Sequence, residues 1–184
     1  MLYIVTALKS EAQAFVDKYK LTKTKLENYT LYSDTHRKII ISGIGVSNAR
    51  RATQTLINHF DITDEDSYCN VGICAASSKY AIGSLLEFGE VISEGIVHRF
   101  KKDKHSIVCV NMPVDKPIYQ IVDMESYGFL DAVLHSPAIK NIYILKVVSD
   151  HFEPDKVTKK QTKSLIFNVI DDINKRLFTL EEDI

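Results

Sequence analysis

The sequence predicts an α/β fold with a largely covered sheet. Short apolar, β-branched runs alternate with amphipathic stretches of helical period, and the runs are apolar almost throughout. Residues 2–7 (LYIVTA) read as a strand. Ala12, Phe15, Val16 and Tyr19 then mark one side of a helix from about Lys9 to Tyr19. Strands follow near 29–33 and 37–42, and a helix over Val46–Phe60 sets Ala49, Thr53, Leu56 and Phe60 at helical spacing. Tyr68–Cys74 is the next strand, and 84–100 and 106–112 are β-rich. Ile118–Val122 reads as a short strand entering a helix near Asp123, and Ile142–Ser149 as the last buried strand. Beyond Pro154, Leu165, Ile166, Val169, Ile170, Ile173 and Leu177 keep a 3.6-residue period. No repeat or linker divides the 184 residues, so one domain over 1–184 is expected.

Composition narrows the partners. The net charge is −1, with basic and acidic residues interspersed, which argues against nucleic acid or an anionic membrane as ligand. Three cysteines (Cys69, Cys74, Cys109) form no Cys-x-x-Cys pair, so a disulfide framework or zinc knuckle is not expected. The six histidines lack metal-ligand spacing, and no metal or organic cofactor is implied. The N-terminal apolar run is too short to span a membrane and lacks a signal-peptide pattern, so a soluble, cytoplasmic protein is expected.

Ligands of α/β sheets gather at the carboxyl ends of strands, and four such places carry polar residues. In Thr6-Ala7-Leu8-Lys9-Ser10-Glu11, the glutamate either complements the helix dipole or serves as a general base that activates water. Ser42-Gly43-Ile44-Gly45 is a plain turn or a loop allowing close approach of a ligand. In Val122-Asp123-Met124-Glu125, Asp123 fits an N-cap and Glu125 a first helical turn, or Glu125 accepts hydrogen bonds from ribose hydroxyls. Ser149-Asp150 is a turn, or the place where a carboxylic acid protonates a leaving base.

In that order, these pieces resemble the nucleoside phosphorylase/nucleosidase superfamily, with Asn70-Val71-Gly72-Ile73-Cys74-Ala75-Ala76 and Ile82-Gly83-Ser84-Leu85-Leu86 as two further matches. The nearest likeness is to 5′-methylthioadenosine/S-adenosylhomocysteine nucleosidase and futalosine hydrolase. The resemblance implies a three-layer α/β/α fold with a central mixed sheet and cleavage of a purine nucleoside's N-glycosidic bond. It implies Asp150 as the acid at the base, held by Ser149, and Glu11 as the base acting on water. Glu125 and Met124 would hold the ribose, with Ala7, Gly43, Ile44 and Ile73 on the substrate wall. Phosphorolytic relatives place an arginine and a serine where Asn70 and Ile73 stand here, so hydrolysis is the favoured reaction. A phosphorylase, or a nucleoside binder without turnover, is the alternative. The resemblance also implies a homodimer. Lys146 stands where the family has an arginine. His98–Tyr119 replaces a longer insert, with Met112-Pro113 at the place of a base-stacking aromatic and Phe152 as a possible substitute.

Overall fold

A computed structural model describes residues 1–178. Among these residues ten strands join one mixed sheet, and four α-helices cover it. In chain order these are β1 (Leu2–Thr6), α1 (Lys9–Tyr19), β2 (Thr22–Leu26), β3 (Tyr29–Ser33), β4 (Arg37–Ile41), α2 (Val46–His59) and β5 (Ser67–Ala76). They continue with β6 (Leu85–Ser93), β7 (Ile96–Arg99), β8 (His105–Cys109), β9 (Ile121–Asp123), α3 (Ser126–Leu134), β10 (Asn141–Asp150) and α4 (Lys159–Phe178).

β5 organises the sheet. Along one edge it runs parallel to β10 from Ser67 to Ala75. Along the other edge, Ser67–Asn70 pairs with β1, and Ala75–Ala76 pairs antiparallel with β9. β10 continues through β6 and β8 to β9, so these strands return to β5 as a closed ring. β1, β4, β3 and β2 extend from it as a wing.

Apolar surface is buried on both faces, which explains the continuously apolar strands. On one face Phe15 of α1 and Ile166, Ile170 and Ile173 of α4 close over Ile4, Val71 and Leu145. On the other, Leu56 of α2 and Phe129 and Val133 of α3 share a core with Val5, Ile40 and Ile107. The crossing of α2 and α3 depends on Gly128, where an added Cβ would stand 2.0 Å from the Val46 carbonyl oxygen. Arg50 and Asp131 bridge the same two helices at 2.6 Å.

The periodicities locate the helices and most strands, with three differences. β2 (TKTKL) is mostly exposed and polar, so it carries no burial pattern to read. The expected 84–100 segment divides into β6 and β7 at Glu94-Gly95, both with positive φ. The strand expected at 118–122 occupies Ile121–Asp123, and α3 begins at Ser126 rather than near Asp123. Met124 and Glu125 lie between the two, turned toward the site.

Candidate functional site

The site grows out of the split in β5. Between Asn70 and Ala75 its outer edge has no strand partner, because β1 has ended and β9 has not begun. A buried backbone N–H there needs an acceptor. Glu11 supplies it: Oε1 accepts the Ile73 amide at 3.1 Å, while Oε2 accepts the Ala7 and Leu8 amides at 2.9 Å each. One carboxylate thus joins the end of β1 and the unpaired stretch of β5 to the first turn of α1. The carboxylate that sits in the first turn of α1 is the same one that lines the cavity. Glu11 is only 2% exposed, and burial raises its pKa despite the nearby Lys146 ammonium and the three amides.

Lys146 lies on β10 behind this carboxylate and is 1% exposed. Both side chains press on Gly72, where an added Cβ would stand 2.8 Å from Glu11 Oε1 and 3.3 Å from Lys146 Nζ. Lys146 Nζ pairs with Asp123 Oδ2 at 2.9 Å. Burial alone would lower the lysine pKa, but Asp123, Glu125 and Glu11 outweigh it and hold the ammonium above its usual value. Asp123 also accepts the Ser126 amide at 2.9 Å and the Ser126 hydroxyl at 2.6 Å. It therefore caps α3 from three residues back, while Glu125 occupies the N-cap position itself. That correction to the expected cap releases the Glu125 side chain. It reaches across to the Gly45 amide, which donates to Oε1 at 2.9 Å. Gly45 has φ 101°, a backbone that orients this amide and suits glycine. Burial and the neighbouring Asp123 and Glu11 charges push the Glu125 pKa up to about 7, against the pull of Lys146 and the Gly45 amide.

The third carboxylate owes its position to a bulge. β10 pairs Val148 with Cys74 but Asp150 with Ala75, so Ser149 is an extra residue in the ladder. A bulge re-aims side chains that would otherwise alternate between faces. Ser149 and Asp150 both line the same cavity as a result. The Ser149 hydroxyl lies 2.6 Å from Asp150 Oδ1 and 3.1 Å from the Cys74 carbonyl, and the Glu153 amide donates to Asp150 Oδ2 at 2.8 Å.

Glu11, Glu125 and Asp150 converge on one cavity of about 290 Å³. Its wall also includes Ala7, Ile44, Ile73, Met124 and Ser149, five of the residues singled out in the sequence. Gly43 is not on that wall. Its φ of 85° shapes the turn, and its amide donates to the Ala7 carbonyl at 3.1 Å. Phe152 is buried away from the cavity, and Met112 is 74% exposed, so Pro113, Val114 and Val110 form the rim there. Segment 98–119 holds the end of β7, then β8 with irregular chain on either side of it. Cys74 also faces the cavity, but burial raises its thiol well above the usual range, so it stays protonated. No local pattern in the sequence marks the Lys146–Asp123 pair as the hub of the site. A lysine inside an otherwise apolar strand (NIYILKVVSD) is the signal that could find it, since a buried charge requires partners. Among the described residues, no group of three His, Cys, Asp or Glu side chains is arranged to hold a metal ion.

No protein-family model and no curated protein matches the sequence. Solved structures match over nearly the whole chain. The 5′-methylthioadenosine/S-adenosylhomocysteine nucleosidase of Helicobacter pylori, in complex with butyl-thio-DADMe-Immucillin-A, superposes with a TM-score of 0.79 at 11% identity, covering 97% of this chain and 98% of that one. The Neisseria meningitidis nucleosidase of the same name gives 0.75 at 13% identity, covering 95% and 98%. The futalosine hydrolase of Helicobacter pylori gives 0.73 at 11%, covering 93% and 97%. The chain therefore has the nucleoside phosphorylase/nucleosidase fold.

Proposed function

We propose that the protein hydrolyses the N-glycosidic bond of a purine nucleoside. The observation that carries this reading is the convergence of Glu11, Glu125 and Asp150 on one cavity. Asp150 gives a proton to N7 of the leaving purine as the bond from C1′ to the base breaks. Glu11 orients a water on the opposite side and takes its proton as the new C1′–O bond forms. Glu125 accepts hydrogen bonds from the ribose hydroxyls, and Met124 packs on the sugar. The sum is one water added across one bond. The sugar passes through a cation-like transition state, as in glycoside hydrolysis, and preorganised carboxylates favour it electrostatically.

Water is favoured over phosphate as nucleophile. No arginine lies among the residues lining the cavity, and the Asn70 side-chain amide is committed to the Val5 carbonyl at 3.0 Å. Fold likeness supports an adenine-type nucleoside such as methylthioadenosine, adenosylhomocysteine or futalosine. A cytoplasmic homodimer accompanies this reading. It is supported by the exposed Ile44, Met112 and Ile118 on nearby loops and by three free thiols.

The test is a panel of those three nucleosides with adenosine and inosine, each incubated with and without phosphate, free base being quantified by chromatography. Base release without phosphate is expected. Release only with phosphate would replace the hydrolase with a phosphorylase, and none from any member would leave a binder.

A further inference from the structure

Asp150 is the last residue of β10, and the chain leaving it is pinned at once. Nδ1 of the His151 ring lies 2.9 Å from the Ala76 carbonyl oxygen. A carbonyl only accepts, so Nδ1 carries the proton and donates it. Ala76 ends β5 and pairs with Ile121, the first residue of β9. The β10–β5 ladder stops at the Asp150–Ala75 pair, and the His151 bond carries the connection one residue further through a side chain.

The next residue is strained. Phe152 has φ 62°, a left-handed backbone that a bulky residue rarely adopts, and its side chain is buried. The reversal it makes brings the Glu153 amide back to Asp150 Oδ2 at 2.8 Å. Pro154 and Val157, just beyond, line the cavity. A strained turn persists only when its surroundings over-determine it. Here the constraints are the buried Phe152 side chain and, one residue earlier, the His151–Ala76 bond.

We propose that His151 is a positioning residue for Asp150. The inference rests on the nucleosidase reading above, in which Asp150 protonates the leaving purine. The ladder fixes the Asp150 backbone, and the Ser149 hydroxyl lies 2.6 Å from Oδ1. The other oxygen depends on the Glu153 amide, which reaches it only while the 151–153 turn is kept. Without the His151 bond the strained Phe152 relaxes, the amide withdraws and the carboxyl is free to rotate. Proton transfer needs the carboxyl within hydrogen-bond reach of the purine nitrogen. Lost orientation therefore slows departure of the base and leaves sugar binding at Glu125 intact.

The test uses two variants whose folding is checked by circular dichroism. His151→Asn keeps a donor at the place of Nδ1, and His151→Phe keeps a ring without one. Each is compared with the wild type, by kcat and KM, on the panel nucleoside that the wild type cleaves fastest and on 4-nitrophenyl β-ribofuranoside. Nitrophenolate departs without a proton from Asp150, so the second substrate isolates the other steps. On the nucleoside, His151→Phe should lower kcat on the order of tenfold with KM within about twofold of wild type. On the nitrophenyl riboside it should stay near wild type, and His151→Asn should recover most of the loss on the nucleoside. Equal losses on the two substrates, a loss as large in His151→Asn as in His151→Phe, or no loss in either variant overturns the role. Any of these, with a wild type that releases base, would leave the nucleosidase standing. No release of base from any nucleoside by the wild type would remove both.

Discussion

Lys146 Nζ lies 2.9 Å from Asp123 Oδ2, with both side chains shut off from solvent. This pair ties β10 to the end of β9, and among the described residues its ammonium is the positive group that sits among the four carboxylates of the site. Removing one partner of a buried pair strands the other. Lys146→Met should therefore cost about 3–5 kcal/mol of folding stability, measured by urea denaturation. A loss below ~1 kcal/mol would mean that the carboxylates are satisfied without the lysine.

Gly72 is the contact through which Glu11 and Lys146 can be disturbed without removing either. An alanine methyl would meet Glu11 Oε1 at 2.8 Å. Gly72→Ala should displace the carboxylate from the Ile73 amide and lower kcat on the order of 10²-fold through misplacement alone. Activity within about twofold of wild type would argue against Glu11 as the group that positions water.

Glu125 gives the site a pH dependence whose sign follows from its raised pKa. In the unfolded chain the group titrates near 4.5, and in the fold near about 7. Between these values the folded state holds a proton that the unfolded state has lost. Its contribution to stability is therefore complete below about 4.5 and is lost as pH rises through about 7. Denaturation midpoints taken near pH 5 and pH 8 should fall with pH, and the fall should be smaller in Glu125→Gln. An identical pH response in the two proteins would contradict this environment for Glu125.

Gly128 permits the crossing of α2 and α3, and Val46 at that crossing directly follows the Gly45 amide that holds Glu125. Gly128→Ala should destabilise the fold by about 1–3 kcal/mol, read from thermal or chemical unfolding. It should also raise KM as the Gly45–Glu125 bond shifts. An unaltered KM with lowered stability would show the crossing and the site to be uncoupled.

Much of this was legible in the residues. The helices announce themselves by period, and the buried strands by continuous apolar runs ending in polar residues. Glu11, Glu125 and Asp150 stand out because each follows such a strand end. What stayed hidden depends on pairing between distant segments. The split of β5 between β1 and β9, the bulge at Ser149 and the closure of β10 onto β6 leave no local pattern. β2 was missed because its side chains are solvated on both faces. Lys146 was visible as a charge in an apolar strand, but its partner is at Asp123, in a turn that reads as an ordinary cap.

The central claim is most directly tested by one assay. Adenine release from methylthioadenosine is followed in phosphate-free buffer for the wild type, Asp150→Asn and Glu11→Gln. Hydrolysis predicts release by the wild type, unchanged when phosphate is added and reduced about 10²–10⁴-fold in each variant. Release that continues undiminished in Asp150→Asn, or that begins only when phosphate is supplied, would contradict it.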